Sequence, residues 1–324
     1  MSSITRRIVS LLCSLALLLG GAWLVLNRQA VLDWWRLSQY TPPAEVKQLA
    51  DEDTMIGQGR TLFYVSQPEI LASADFNKSC SAKGEQTIVL GCYKLQHIAL
   101  YNVTDQRLSG VKEVTAAHEM LHAAYERLSD AGKSRANTLL RPVIDGMKDQ
   151  RILELIRLYN QQEPGELYNE MHSILGTEYA NLTPELETYY TQYFSDRQRI
   201  VAYANQYQAV FTDSQNKLDA YDKQLTVLKV QIDQNNDTLK QLQLQLQTES
   251  DQLNRLRAVG QYQQYNQQVP GYNAKVASFN QLVGQTRSLV VQYNDIVNER
   301  NQQAVAQNDL YQNLNSSYVP AQQQ

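Results

Sequence analysis

The sequence predicts a mainly α protein with an N-terminal transmembrane helix, a small α+β domain and a long antiparallel coiled-coil hairpin. Three observations carry that expectation. An uncharged apolar run fills residues 8–26, a helical stretch holding a paired-histidine motif follows β-rich segments, and a heptad pattern occupies much of the C-terminal half. The composition agrees. With 324 residues, 43% hydrophobic, 19% charged and a net charge of −4, the chain is neither a basic nucleic-acid binder nor an acidic disordered tail. Three cysteines are too few for a disulfide scaffold. A mean hydropathy of −0.46 excludes a multi-span membrane protein but leaves room for one anchor. Twenty tyrosines against five phenylalanines point to half-wet helical seams.

The anchor comes first. Ile8–Leu26 reads IVSLLCSLALLLGGAWLVL, and as a helix it spans about 28 Å, close to the hydrocarbon thickness of a bilayer. It lacks the short apolar region and small-x-small exit of a cleaved signal peptide. Arg6 and Arg7 on a short cytoplasmic tail, residues 1–7, favour the N-terminus inside and the rest outside. Arg28, Arg36 and Lys47 pull the other way. The expected location is thus the cell membrane, single-pass, with the remainder extracytoplasmic. Cys80 and Cys92 fit that compartment: as a disulfide they close a small loop, worth about 3 kcal/mol, and the alternative is two buried thiols.

Trp34, Trp35 and Tyr40 are interfacial residues in a juxtamembrane linker, 27–54, broken by Pro42 and Pro43. Thr61–Val65, Gln86–Leu90 and Ile98–Val103 are β-rich runs between turn residues, predicting a small sheet. From Val111 the period turns helical, predicting helices over 111–128, 131–147, 149–161 and 164–175. Pro164 opens the last in a favoured first-turn position and Gly176 closes it. Thr183-Pro184-Glu185 is an N-cap signature. Beyond it Leu218, Tyr221, Leu225, Leu228, Ile232, Leu239, Leu242, Leu246, Leu253 and Leu256 alternate steps of three and four, a heptad seam. The polar, breaker-rich stretch 260–271 reads as the turn of a hairpin over 183–316. Tyr272 through Val297 resume the seam, and 317–324 is expected to be a disordered tail. Such an arm is a spacer, a coiled-coil partner site or a homo-oligomer contact.

The chemistry lies in His118-Glu119-Met120-Leu121-His122. Residues four apart share a helix face, so both imidazoles reach one metal ion. Glu119, about 100° around the axis, stands beside the ion and not on it, placed to take a proton from an activated water. Zinc lowers the pKa of a bound water to about 7. With four histidines in the chain, a chance match is expected at roughly a few in a thousand. Ala116, Ala117, Ala123 and Ala124 leave room for close packing. The bland alternative is a pair of hydrogen-bonded core histidines.

The motif on a helix after a β-rich segment resembles the zincin metallopeptidases over residues 55–182. The metzincin branch needs Gly at 125 and His at 128, where this chain has Tyr125 and Leu128. What remains is similar to the gluzincins, which implies a third zinc ligand from a Glu on a later helix. Glu170 in Asn169-Glu170 is the first choice, with Glu166 and Glu178 as alternatives. Ile174 stands where the pattern expects an acidic residue. His172, with Tyr168 as competitor, is the implied oxyanion donor, and His97 is structural. Ile98–Val103 or Gln86–Leu90 is the implied rim for an extended substrate. The resemblance implies a membrane-anchored zinc metallopeptidase acting on a peptide or protein substrate, with no nucleic acid as partner. Two rivals stand beside it: an envelope coiled-coil scaffold with a vestigial or structural metal site, and a zinc hydrolase of small amides.

Overall fold

The computed structural model describes residues 3–80 and 88–317. Helix dominates, with twelve α-helices and one three-stranded sheet among those residues. Two compact units emerge: residues 1–209 with 312–324, and residues 210–311.

The first unit opens with α1 (Ser3–Leu26) and α2 (Arg28–Gln39). Side chains on α1 are described from Leu12 onward, apart from residues 13 and 16, and its leucines there are exposed. Among the described residues no helix is long and apolar enough to cross a membrane, so the span expected at 8–26 finds no support there; the side chains of 8–11, 13 and 16 lie outside the described ones.

Next come α3 (Ala44–Glu52) and α4 (Gly57–Val65). Helix α4 corrects the strand expected at Thr61–Val65. Gly59, Leu62, Phe63 and Val65 are buried, and burial at helical spacing overrides the β preference of aromatic and branched residues. Gly59 is required by contact: a Cβ there would sit 2.4 Å from the Tyr193 carbonyl oxygen.

The sheet is β1 (Glu69–Leu71), β2 (Gly91–Lys94) and β3 (His97–Tyr101), in the order β1-β3-β2. Strand β3 runs parallel to β1 and antiparallel to β2, with Cys92 opposite Ala99. The run expected at Ile98–Val103 is therefore the central strand and cannot be a rim. Of the run expected at Gln86–Leu90, residues 86 and 87 lie outside the described residues, and 88–90 form no strand. Among the described residues the edge strands are β1 and β2, and β2 comes directly after that run. Helix α5 (Ser73–Ser79) ends at Cys80, which is disulfide-bonded to Cys92 with a Cα–Cα distance of 5.8 Å.

Helices α6 (Val111–Glu126), α7 (Asp130–Asp145), α8 (Gln150–Gln162), α9 (Leu167–Thr177) and α10 (Pro184–Tyr190) complete the unit. Ser129, Asp149 and Thr183 cap α7, α8 and α10 by accepting hydrogen bonds from backbone amides. Two boundaries differ from expectation. Pro164 lies in the turn before α9, and Gly176 lies inside α9 instead of ending it. Its role is contact: a Cβ at Gly176 would stand 2.3 Å from Leu121 Cδ1 and 2.9 Å from Tyr190 Cε1. The core gathers around Ala116, Ala117, Met120 and Leu121 of α6. Arg197, nearly fully buried, donates to the carbonyls of Leu175, Tyr179 and Ala180 and to the Glu187 carboxylate, fastening the end of α9 to α10.

The long helices are α11 (Arg197–Ala258) and α12 (Tyr262–Leu314), whose parts within 210–311 form the second unit. The turn is far shorter than the expected 260–271. Gly260 has φ 76°, the Gln261 amide donates to Leu256 O at 2.9 Å, and the Gly260 amide donates to Arg257 O at 3.3 Å. That is a Schellman closure. Pro270 and Gly271 sit inside α12. Within the arm, Arg300 pairs with Asp222, Lys275 with Glu249, and Phe211 stacks on Tyr311. The tail expected at 317–324 falls, from 318 on, outside the described residues.

Candidate metal centre

Helix α6 starts at Gly110, whose φ of 98° only glycine adopts freely and whose absent Cβ lets Tyr203 approach. From that start His118 and His122 fall one turn apart on one face. Their rings meet edge to face at 4.7 Å, with the two Nε2 atoms 3.0 Å apart. Gly176 lets α9 press onto Leu121 of α6, and so brings Glu170 opposite the pair. Its Oε1 lies 3.6 Å from His118 Nε2 and its Oε2 lies 3.5 Å from His122 Nε2.

Those three donors lie within 4.8 Å of one another. A tetrahedral ion with ligand bonds of about 2.0–2.2 Å puts neighbouring ligand atoms roughly 3.3–3.6 Å apart. The nitrogens stand 3.0 Å apart and each has a different Glu170 oxygen at 3.5–3.6 Å, separations of the order a small divalent cation requires.

Asn169 completes the arrangement. Its Nδ2 donates to Glu166 Oε2 at 3.0 Å, which turns its Oδ1 toward His122 Nδ1, also at 3.0 Å. An amide oxygen accepts only, so His122 carries its proton on Nδ1 and presents an Nε2 lone pair to the metal position. In the neutral, metal-free pair His118 must then donate from Nε2.

Burial, and next the neighbouring His122 and His172, holds His118 well below the usual histidine range, so it is neutral. Burial also pushes His122 down, but Glu119, Glu170 and the Asn169 hydrogen bond outweigh it and the net direction is up.

Glu119 is 6% exposed, and edge strand β2 runs beside it. A Cβ at Gly91 would lie 2.8 Å from both Cγ and Oε1 of Glu119. Both belong to a cleft of about 650 Å³ with β2 on one side and Arg151, Leu155, Leu158 and Tyr159 of α8 among its other walls. His118, His122 and Glu170 line the same cleft.

The other expected residues lie outside the three-donor group, although Glu166 and Glu178 line the same cleft. Glu166 is exposed at the start of α9 and holds Asn169, outside the three-donor group. Glu178 lines the cleft but is engaged by Arg151 at 2.8 Å and by Gln208 Nε2 at 3.1 Å. Burial raises its carboxyl, against the pull of Arg151. His172 does not line the cleft. It is fully buried among Tyr125, Tyr189, Tyr190 and Tyr193, with Nε2 3.0 Å from Tyr189 Oη. Burial and the neighbouring His122 push it down to about 3. From that position it touches no substrate in the cleft, so the oxyanion role is dropped. Tyr168 is absent from the lining too, while Arg151, Tyr159 and Tyr207 are present. His97 lies outside the cleft, 3.3 Å from Arg36 Nη2.

Sequence reasoning missed the roles of Asn169, Gly91 and Arg151. Adjacency to Glu170 was the available signal for Asn169; nothing in the pattern marked the other two. No protein-family model, curated protein or solved structure matches the chain.

Proposed function

We propose that this chain is a membrane-anchored zinc metallopeptidase whose cleft lies outside the cytoplasm. One observation carries the reading: two imidazole nitrogens and a carboxylate converge at metal-ligand separations, with a separate, nearly buried carboxylate in the same cleft. His118, His122 and Glu170 hold the ion, which when bound supplies Lewis acidity toward water and a peptide carbonyl. Glu119 takes the proton from attacking water and returns it to the leaving amine. Low exposure keeps its carboxylate close to the reacting atoms and away from competing solvent. The edge of β2 that has no strand partner among the described residues pairs with an extended peptide, and α8 walls the opposite side. Arg151, oriented by Glu178, is the cationic donor nearest in chemistry to the oxyanion role expected of His172.

The apolar N-terminal run anchors the protein, Arg6 and Arg7 set its orientation, and the Cys80–Cys92 disulfide suits an oxidising compartment. The arm, 210–311, serves as a spacer or as a docking surface for a coiled-coil partner.

The test is metal analysis of the purified chain with digestion of casein and a peptide library, with and without chelator. Glu119→Gln is expected to keep one zinc per chain and lose hydrolysis. Unchanged proteolysis by that variant removes the assignment. Bound metal without hydrolysis of any peptide or small amide leaves the scaffold reading.

A further inference from the structure

We infer that the outward face of α2, with Trp34 and Trp35, and Leu95 at the β2–β3 turn are a lipid-interface docking surface that seats the globular unit directly on the bilayer. The inference rests on the membrane part of the proposed function and not on its chemistry.

Helix α2 is not a loose linker. Helical bonding runs through the single residue that separates it from α1: the Asn27 amide donates to Trp23 O at 2.9 Å, and the Val31 amide donates to Asn27 O at 3.1 Å. One face of α2 is clamped to the unit. Arg36 donates to Val65 O at 2.9 Å, to Gln96 Oε1 at 3.0 Å and to Gln96 O at 2.7 Å. Arg127 donates to both oxygens of Asp33 at 2.9 Å, and Tyr40 Oη donates to Pro68 O at 2.7 Å. Positions 33, 36 and 40 share a helix face, so Trp34 and Trp35 turn away from it on either side. They are 71% and 57% exposed.

The Arg36 grip on Gln96 brings the β2–β3 turn to this helix. Leu95 and Gln96 connect the paired residues Lys94 and His97, with φ of 50° and 60°. Such turns favour Asn-Gly or Asp-Gly. Here a leucine accepts an unfavourable backbone conformation and is 85% exposed. Fold stability explains neither choice; insertion into a lipid interface explains the side chain.

Length points to the same occupant. Trp34 and Trp35 follow Leu26, the end of the apolar run, by only about 12–14 Å of helix, so they emerge on the far side of the hydrocarbon at the interfacial layer. The tryptophan pair then lies at the far headgroup level, where indoles prefer to sit. Lys94 lines the cleft and neighbours Leu95, so the substrates within reach are polypeptide segments close to the membrane surface.

The test uses the full chain in phosphatidylcholine vesicles, with Cys13→Ser so that labelling is confined to the introduced thiol. A polarity-sensitive fluorophore is placed at Leu95→Cys. The label at 95 is expected to shift to the blue and to be quenched by brominated lipid. Arg36→Ala is expected to abolish quenching at 95 while quenching of Trp23, Trp34 and Trp35 persists. An unquenched label at 95 beside quenched tryptophans overturns the inference. So does a blue shift that grows with protein-to-lipid ratio, which signals a second copy of the chain, or quenching at 95 that survives Arg36→Ala. Loss of quenching at the tryptophans as well removes the membrane reading itself, whatever the outcome for hydrolysis.

Discussion

Replacing Asn169 by Ala tests how the site prepares its ligands. The wild-type side chain is locked at both ends, accepting from His122 Nδ1 and donating to Glu166 Oε2, each at 3.0 Å. Alanine leaves the imidazole free to rotate and to place its proton on Nε2, the atom that must face the metal. Loss of such an outer hydrogen bond weakens metal binding by about 10–100-fold, equivalent to roughly 1.4–2.8 kcal/mol. Half-burial of the pair favours the upper part of that range, because the orphaned Nδ1–H is poorly compensated by water. Asn169→Asp combined with Glu166→Gln keeps an acceptor toward His122 and a donor beside it, and should restore most of the affinity. The assay is competitive zinc titration against a chromophoric chelator, with thermal unfolding in chelator as a control on folding. Wild-type affinity in Asn169→Ala, or equal loss in the Ala variant and the double variant at unchanged stability, refutes the reasoning.

Two further outcomes follow from close packing and burial. Gly91→Ala places a methyl 2.6 Å from Thr115 Cγ2 and 2.8 Å from Glu119 Oε1; displacing that carboxylate should lower kcat/KM by about 100-fold while zinc content stays at one, and wild-type kinetics would count against Glu119 as the base. Asp53 is fully buried, and neither carboxylate oxygen has a hydrogen-bond partner among the described residues. Burial, then Glu113 and Glu52, raise its pKa well above 3.8, so the folded state holds a proton that the unfolded state releases. Stability from this group is full below pH 3.8 and falls by about 1.4 kcal/mol per pH unit between there and the raised folded value. The isosteric amide variant, Asp53→Asn, should raise stability at pH 7 and flatten that slope in urea titrations; an unchanged slope would show that Asp53 is not the group responsible.

Local signals were legible where local physics decides. The cap at Thr183 follows from side-chain chemistry within a few residues, and the start of α6 at Val111 from a change of period along the chain. The spacing of His118 and His122 required only a helix to bring two nitrogens together. Where a segment's state depends on what lies across from it, the reading failed. Thr61–Val65 has β-forming residues but folds as a helix because Tyr193 and the core lie against one helical face. Gly176 looked like a stop because an exposed glycine ends helices, whereas here it is the contact that admits Leu121. Pro270 looked like a turn, but the chain reverses well before it, at Gly260, and α12 continues past the proline.

By itself the sequence determined a helix with two imidazoles on one face, an acid beside them, a heptad pattern and an apolar N-terminal run, since each is written along one segment. Tertiary structure alone decided which glutamate faces those imidazoles, that Asn169 sets the His122 tautomer, that His172 is sealed among tyrosines, and that β3 is the central strand. The reason is physical: spacing fixes directions within a helix or strand, whereas a ligand shell needs the distance between elements, and that distance is set by the side chains, or missing side chains, packed between them.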